Sequence, residues 1–160
     1  MNVWTYACLA MGLLLFAAPA GALMPDNIEI LSTSQEWLTA GSSDTATVTV
    51  LVTNSSSPVS GVVVDFAVDN SAYGSIADAR VETDEAGKAA AVFKPGMRSG
   101  IATITARVSC EGLDEPLTGS VDLSIDHAAP YAIAGLWYES EVTAGGTTDI
   151  TVRVVDRYGN

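Results

Sequence analysis

Short runs of alternating apolar and polar residues, each closed by Gly, Pro, Asn, Asp or Ser, follow one another along most of this chain. Residues 45–53 read TATVTVLVT, with Ala46, Val48, Val50 and Val52 on one side and Thr47, Thr49, Leu51 and Thr53 on the other. A period of two built from β-branched residues predicts a half-buried antiparallel strand. Residues 62–68 place Val62, Val64, Phe66 and Val68 on one face, with Asp65 and Asp69 opposite. Residues 88–94 turn Ala89, Ala91 and Phe93 inward, and residues 101–108 do the same with Ala102, Ile104, Ala106 and Val108. Residues 118–125 close the series through Val121, Leu123 and Ile125. Weaker signals predict a short edge strand over 28–31 and a single edge strand over 76–82; Trp37-Leu38 reads as an apolar pair ahead of the Ala40-Gly41 turn.

Seven or more strands in about a hundred residues, with turn signals every 8–12 residues, predict an all-β fold. The expected architecture is an immunoglobulin-like Greek-key β-sandwich, since no segment after the N-terminus carries a helical period. The small inward residues Ala89, Ala91, Ala102 and Ala106 would let two sheets approach closely. The central punctuation is Thr83-Asp84-Glu85-Ala86-Gly87. Here Asp84 is expected to accept nearby backbone N–H groups and Gly87 to adopt positive φ.

An internal repeat accompanies this pattern. Thr39-Ala40-Gly41 returns 104 positions later as Thr143-Ala144-Gly145, and at the same offset Thr47-Val48 meets Thr151-Val152 and Val50 meets Val154. The expected division is a signal peptide over 1–22, a sandwich over 23–126, and a linker with an incomplete second copy over 127–160. The linker is placed at 126–131 (DHAAPY), short and holding one Pro, so adjacent modules should be semi-rigid. A partial sandwich cannot cover both faces of its strands, so Ile150, Val152 and Val154 are expected to be poorly covered.

Several stretches, in order, resemble the bacterial immunoglobulin-like domain group 1, the Big-1 repeats of invasin- and intimin-type surface proteins. They are Pro58-Val59-Ser60-Gly61, Val64-Asp65-Phe66, Gly74-Ser75, the Thr83–Ala89 segment with its turn residues Thr83, Asp84 and Gly87, and residues 100–106 (GIATITA). The closing Asp156-Arg157-Tyr158-Gly159-Asn160 is similar to the start of that family's D-x-x-G-N-P-V loop, which the first copy replaces with Asn54-Ser55-Ser56-Ser57. The resemblance implies a sandwich spacer, repeated in tandem on a cell surface. Adhesion is suggested by it but attaches to no residue.

Residues 1–22 (MNVWTYACLAMGLLLFAAPAGA) hold an uncharged Leu- and Ala-rich run followed by small residues, which predicts a Sec-type signal peptide cleaved after Ala22. The run has no Lys or Arg ahead of it, so an uncleaved anchor is the other reading. Export leaves Cys110 as the single cysteine, with no internal disulfide and a core held by burial alone. The formal charge is −12, from 19 acidic against 7 basic residues. Such a surface repels nucleic acid and anionic lipid, so neither is an expected partner.

Candidate chemistry is sparse. Asp78, Glu82, Asp84 and Glu85 gather oxygens near one turn and could hold Ca²⁺, but their spacing matches no EF-hand loop and a solvated hairpin end is the preferred reading. Glu111, Asp114, Glu115 and Asp126 could meet a cation at a module junction. Asn54-Ser55-Ser56 fits a glycosylation sequon. His127, the lone imidazole, reads as a linker residue. Trp37, Tyr73, Trp137 and Tyr138 are candidates for stacking on polysaccharide, although packing in the core or at a junction is the preferred expectation. No catalytic constellation, phosphate loop or cofactor motif is present, so no enzyme is expected.

The combined expectation is a secreted or cell-surface module, either a structural spacer or an adhesion repeat of a longer tandem-repeat protein. Its partners would be neighbouring immunoglobulin-like repeats and a cell-surface protein or glycan. The alternatives are an accessory module of a secreted enzyme and a polysaccharide-binding envelope protein. Membrane contact is expected only through an uncleaved N-terminus or an anchor elsewhere.

Overall fold

The structure is a computed structural model and describes residues 24–160; the expected signal peptide and its expected cleavage site lie outside the described residues. Among the described residues twelve strands form: β1 (Asn27–Thr33), β2 (Trp37–Thr39), β3 (Ala46–Asn54), β4 (Ser57–Pro58), β5 (Val63–Val68), β6 (Gly74–Ile76), β7 (Arg80–Glu82), β8 (Lys88–Pro95), β9 (Gly100–Val108), β10 (Leu117–Asp126), β11 (Pro130–Tyr138) and β12 (Ile150–Asp156). One sheet runs β1-β3-β8-β6 with β4 paired to β3, the second runs β2-β10-β9-β5-β7, and β11-β12 is a separate ribbon. The first two sheets make an immunoglobulin-like sandwich. Its pairings are antiparallel except for the short parallel contact of β2 with β10.

Alternation decides which side chains enter the sandwich. Val48, Val50 and Val52 of β3, Ala89, Ala91 and Phe93 of β8, Val64 and Phe66 of β5, Ala102, Ile104, Ala106 and Val108 of β9, and Leu123 and Ile125 of β10 are all buried. Phe93 and Leu123 are 0% exposed. Two Ala-lined strands, β8 and β9, leave room for the Phe93 and Phe66 rings, consistent with large and small side chains interdigitating in a close-packed interior.

The edges depart from the sequence reading. The expected single strand over 76–82 is two strands on different sheets. Gly74, Ser75 and Ile76 pair with Pro95, Lys94 and Phe93 of β8, whereas Arg80, Val81 and Glu82 pair with Asp65, Val64 and Val63 of β5. The chain crosses between sheets over 77–79, where Ala77, Asp78 and Ala79 are exposed and carry no apolar pattern to hold a strand. Trp37-Leu38 is itself a strand: Ser124, Ile125 and Asp126 of β10 pair with Trp37, Leu38 and Thr39, burying Leu38 and turning Trp37 outward. The linker is shorter than 126–131, because β10 runs to Asp126 and β11 begins at Pro130.

The β11-β12 ribbon shares one bulge with the β1-β3 pairing and has a second slip, between Pro130 and Ala132, that β1-β3 lacks. In the first pair the register slips between Ile30 and Ser32, leaving Leu31 as the extra residue. In the second it slips between Ile133 and Gly135, leaving Ala134 extra. Ile30 opposes Val50, as Ile133 opposes Val154, and Thr33 opposes Val48, as Leu136 opposes Val152. A bulge re-aims the strand and is a specified feature of a pairing. The ribbon lacks the second sheet that covers β3, so Ile150, Val152 and Val154 are 65%, 46% and 53% exposed.

Candidate functional site

The Thr83–Gly87 turn is built on its backbone. Asp84 Oδ1 accepts the N–H groups of Ala86 (2.9 Å) and Lys88 (2.8 Å), and the Gly87 N–H donates to the Asp84 carbonyl. Gly87 has φ +72°, as the sequence predicts, and it lies so close to the neighbouring strand β3 that a Cβ would sit 2.7 Å from the Val52 carbonyl oxygen. Its own carbonyl receives the Val52 N–H. Thr83 has a role that sequence reasoning missed. Its buried hydroxyl donates to the Val59 carbonyl at 2.7 Å and accepts the Val62 N–H at 3.0 Å, tying the loop before β5 to the turn. No local pattern announces this, because both partners lie more than twenty residues back in the chain.

The acidic residues near this turn do not converge. Asp78, Glu82, Asp84 and Glu85 are all exposed, and among the described residues no group of three or more His, Cys, Asp and Glu side chains is placed to hold a metal ion. Glu111, Asp114, Glu115 and Asp126 are likewise exposed. The Asn54 side-chain nitrogen, which would carry a glycan, is engaged as a donor to the Met24 carbonyl. Cys110 is half-buried and free, and His127 is exposed in the linker. Of the aromatic candidates, Tyr73 packs against the core, while Trp37, Trp137 and Tyr138 are exposed and do not pack in the core. Trp37 points outward because it alternates with the buried Leu38, and the ribbon carrying Trp137 and Tyr138 has no covering layer.

The densest polar arrangement is at the junction between the sandwich and the ribbon. Asp156 is almost fully buried, and its carboxylate is saturated. Oδ1 accepts the N–H groups of Tyr158 (2.8 Å) and Asn160 (2.9 Å), and Oδ2 accepts the Ala128 N–H and the Asn160 side-chain amide, both at 2.8 Å. Burial alone would raise its pKa, but the Asn160 side-chain bond and the three backbone bonds outweigh that and hold it well below the usual carboxylate range. Asn160 reaches across to the sandwich, donating to the Met97 carbonyl at 2.9 Å and accepting the Ser99 N–H at 3.0 Å. Sequence reading singled out the loop over 156–160 as a family motif without seeing that it fastens two units together. The signal available was an Asp followed within four residues by Gly and Asn.

A cleft of about 610 Å³ lies beside this loop, lined among others by Arg98, Ser99, Arg153 and Tyr158. It brings together two guanidinium groups and the hydroxyl-bearing Ser99 and Tyr158, with no carboxylate or imidazole in its lining.

No family model matches the chain. The inverse autotransporter adhesin YeeJ of Escherichia coli (strain K12) is 31% identical over 142 residues, a match that takes in 87% of this chain. The chain spans only 6% of the length of that adhesin. The C-terminal fragment of intimin, solved in complex with the intimin-binding domain of the translocated intimin receptor, matches with a TM-score of 0.50 and 16% identity over 84% of this chain and 47% of that one. The D0-D1 domain of intimin gives a TM-score of 0.49 and 16% identity over 79% of this chain and 65% of that one. The described chain is thus an immunoglobulin-like β-sandwich with the fold that intimin carries, and it is similar in sequence to a short stretch of a bacterial adhesin.

Proposed function

We propose that this chain is a non-catalytic, surface-displayed Big-1-type module, acting as a spacer or adhesion repeat within a tandem array. The observation that carries the reading is the shared bulge and register of β1-β3 and β11-β12. Two strand pairs that share a one-residue bulge at matching positions, 103 residues apart on β1 and β11 (Ile30 to Ile133) and 104 on β3 and β12 (Val50 to Val154), are what a second copy of the module would begin with. The similarity to a stretch of a far longer adhesin supports the same reading. So does the exposed apolar face of Ile133, Leu136, Ile150, Val152 and Val154, which is the face that β3 buries in the first copy.

In this reading the leader over 1–22 exports the chain, the sandwich holds its binding partner at a distance from its anchor, and that partner is a cell-surface protein or glycan. The intimin fragment was solved with a receptor domain, and a comparable contact by this protein would belong to a surface outside the sandwich core. The test has two parts. The natural gene should continue past Asn160 with further copies at the same period. Antibody raised against the sandwich should label intact cells. A catalytic domain directly after Asn160, with no further copies, would favour the accessory-module alternative.

A further inference from the structure

The two Thr-Ala-Gly turns differ in what lies against them. Gly41 has φ +68°, and the Tyr158 ring occupies the space where its side chain would be. Gly145 has φ +79°, and nothing lies within 4 Å of where its Cβ would stand. The same tripeptide with the same backbone hand is filled in one copy and open in the other.

The group that fills the first turn is held in shape by hydrogen bonds within its own loop. Asp156 fixes the loop through the Tyr158 and Asn160 amides, Tyr158 then packs against the first sandwich's core, and Asn160 reads the backbone at Met97 and Ser99. The receiving surface is fixed too: the Gly41 N–H donates to the Gly96 carbonyl at 2.7 Å, and the Gly96 N–H donates to the Tyr73 carbonyl at 2.7 Å. A glycine is needed because any side chain at residue 41 would collide with the ring.

We propose that the Thr-Ala-Gly turn is a socket for the D-x-Y-G-N loop of the module that follows it, with the Tyr158 ring as the plug. Gly145 is then the next socket, open to an aromatic side chain from a further module. The inference rests on the tandem reading above. It specifies a joint made by one ring against a glycine backbone and one amide on a loop. All four acceptor contacts of Asp156 go to N–H donors, so the joint needs no bridging cation.

Backbone ¹⁵N relaxation of the chain tests this directly. Amides of β11 and β12 should share the order of the sandwich, with order parameters of about 0.85. In Tyr158→Ala those of the ribbon should fall below about 0.6 while those of β3, β8 and β9 stay unchanged. Tyr158→Phe should keep the ribbon ordered, because the ring still fills the hollow. A ribbon that is already independent in the wild type, or one that stays ordered in Tyr158→Ala, would overturn the socket. A natural gene without further copies would remove the partner of Gly145 and the tandem reading, and would leave the Tyr158 result standing.

Discussion

The hydroxyl of Thr83 donates to the carbonyl of Val59 at 2.7 Å, across the gap between the central turn and the loop entering β5. The same oxygen accepts the Val62 N–H, so one buried atom satisfies two backbone groups. Thr83→Ala leaves both unpaired away from water, and a lost buried partner costs about 1–3 kcal/mol. The expected destabilisation is roughly 2–4 kcal/mol in a urea titration, with Thr83→Ser keeping the hydroxyl and losing about 1 kcal/mol. Equal losses for the two variants would show that the methyl, not the hydroxyl, matters.

Gly87 and Gly61 separate backbone strain from collision. Their φ values are +72° and +73°, but a Cβ on Gly87 meets the Val52 carbonyl while one on Gly61 meets nothing within 4 Å. Gly61→Ala should cost about 1 kcal/mol, the ordinary penalty for an L-residue in the left-handed region. Gly87→Ala should cost about 1–3 kcal/mol more, since the strand carrying Val52 has to move. Matching melting temperatures for the two variants would mean that the turn has been placed wrongly.

Acid should loosen the junction before it unfolds the sandwich. Asp156 is held below its unfolded value, so the folded state binds fewer protons than the unfolded state over that interval. Its contribution is therefore complete above the ordinary carboxylate pKa of about 3.9 and is lost as pH falls below it. Amide exchange at Ala128, Tyr158 and Asn160 should accelerate, beyond its intrinsic pH dependence, between about pH 4 and the acid limit. Asp156→Asn should show weak protection at these amides throughout, with no such step. A step of equal size in Asp156→Asn would assign the effect to another carboxyl group.

Calcium should leave the melting temperature unchanged. Asp84 Oδ1 already accepts two N–H groups, and Asp156 accepts four. A site filled at 100 times its dissociation constant would stabilise by about 2.7 kcal/mol, a shift easily seen in a domain of this size. A rise of several degrees in millimolar Ca²⁺ would reinstate the carboxylates near the turn as ligands.

The sandwich core was legible because burial follows a period of two, and Val48, Val50, Phe93, Ile104 and Leu123 need only that rule to be placed. The edges were not. β6 and β7 are three residues each, too short for alternation to show, and which sheet each joins is settled by pairing with residues far along the chain. Trp37 reads as core by type, yet the parallel contact of β2 with β10 gives the inward position to Leu38. The matching Thr-Ala-Gly turns and Val ladders were visible in the sequence, but the docking of Tyr158 on Gly41 was not. A contact spanning the whole module leaves no trace in local composition.

In the proposed tandem reading, residues 24–126 form one autonomous module and residues 127–160 open another. Thermal unfolding of a 24–126 fragment beside the 24–160 chain measures this most directly. One cooperative transition is expected for the fragment, within a few degrees of the longer chain, because removing the ribbon takes the Tyr158 and Asn160 contacts from the sandwich and leaves its two sheets whole. A fragment that fails to fold, or melts without cooperativity, would show that the ribbon completes the first core and would contradict the modular reading.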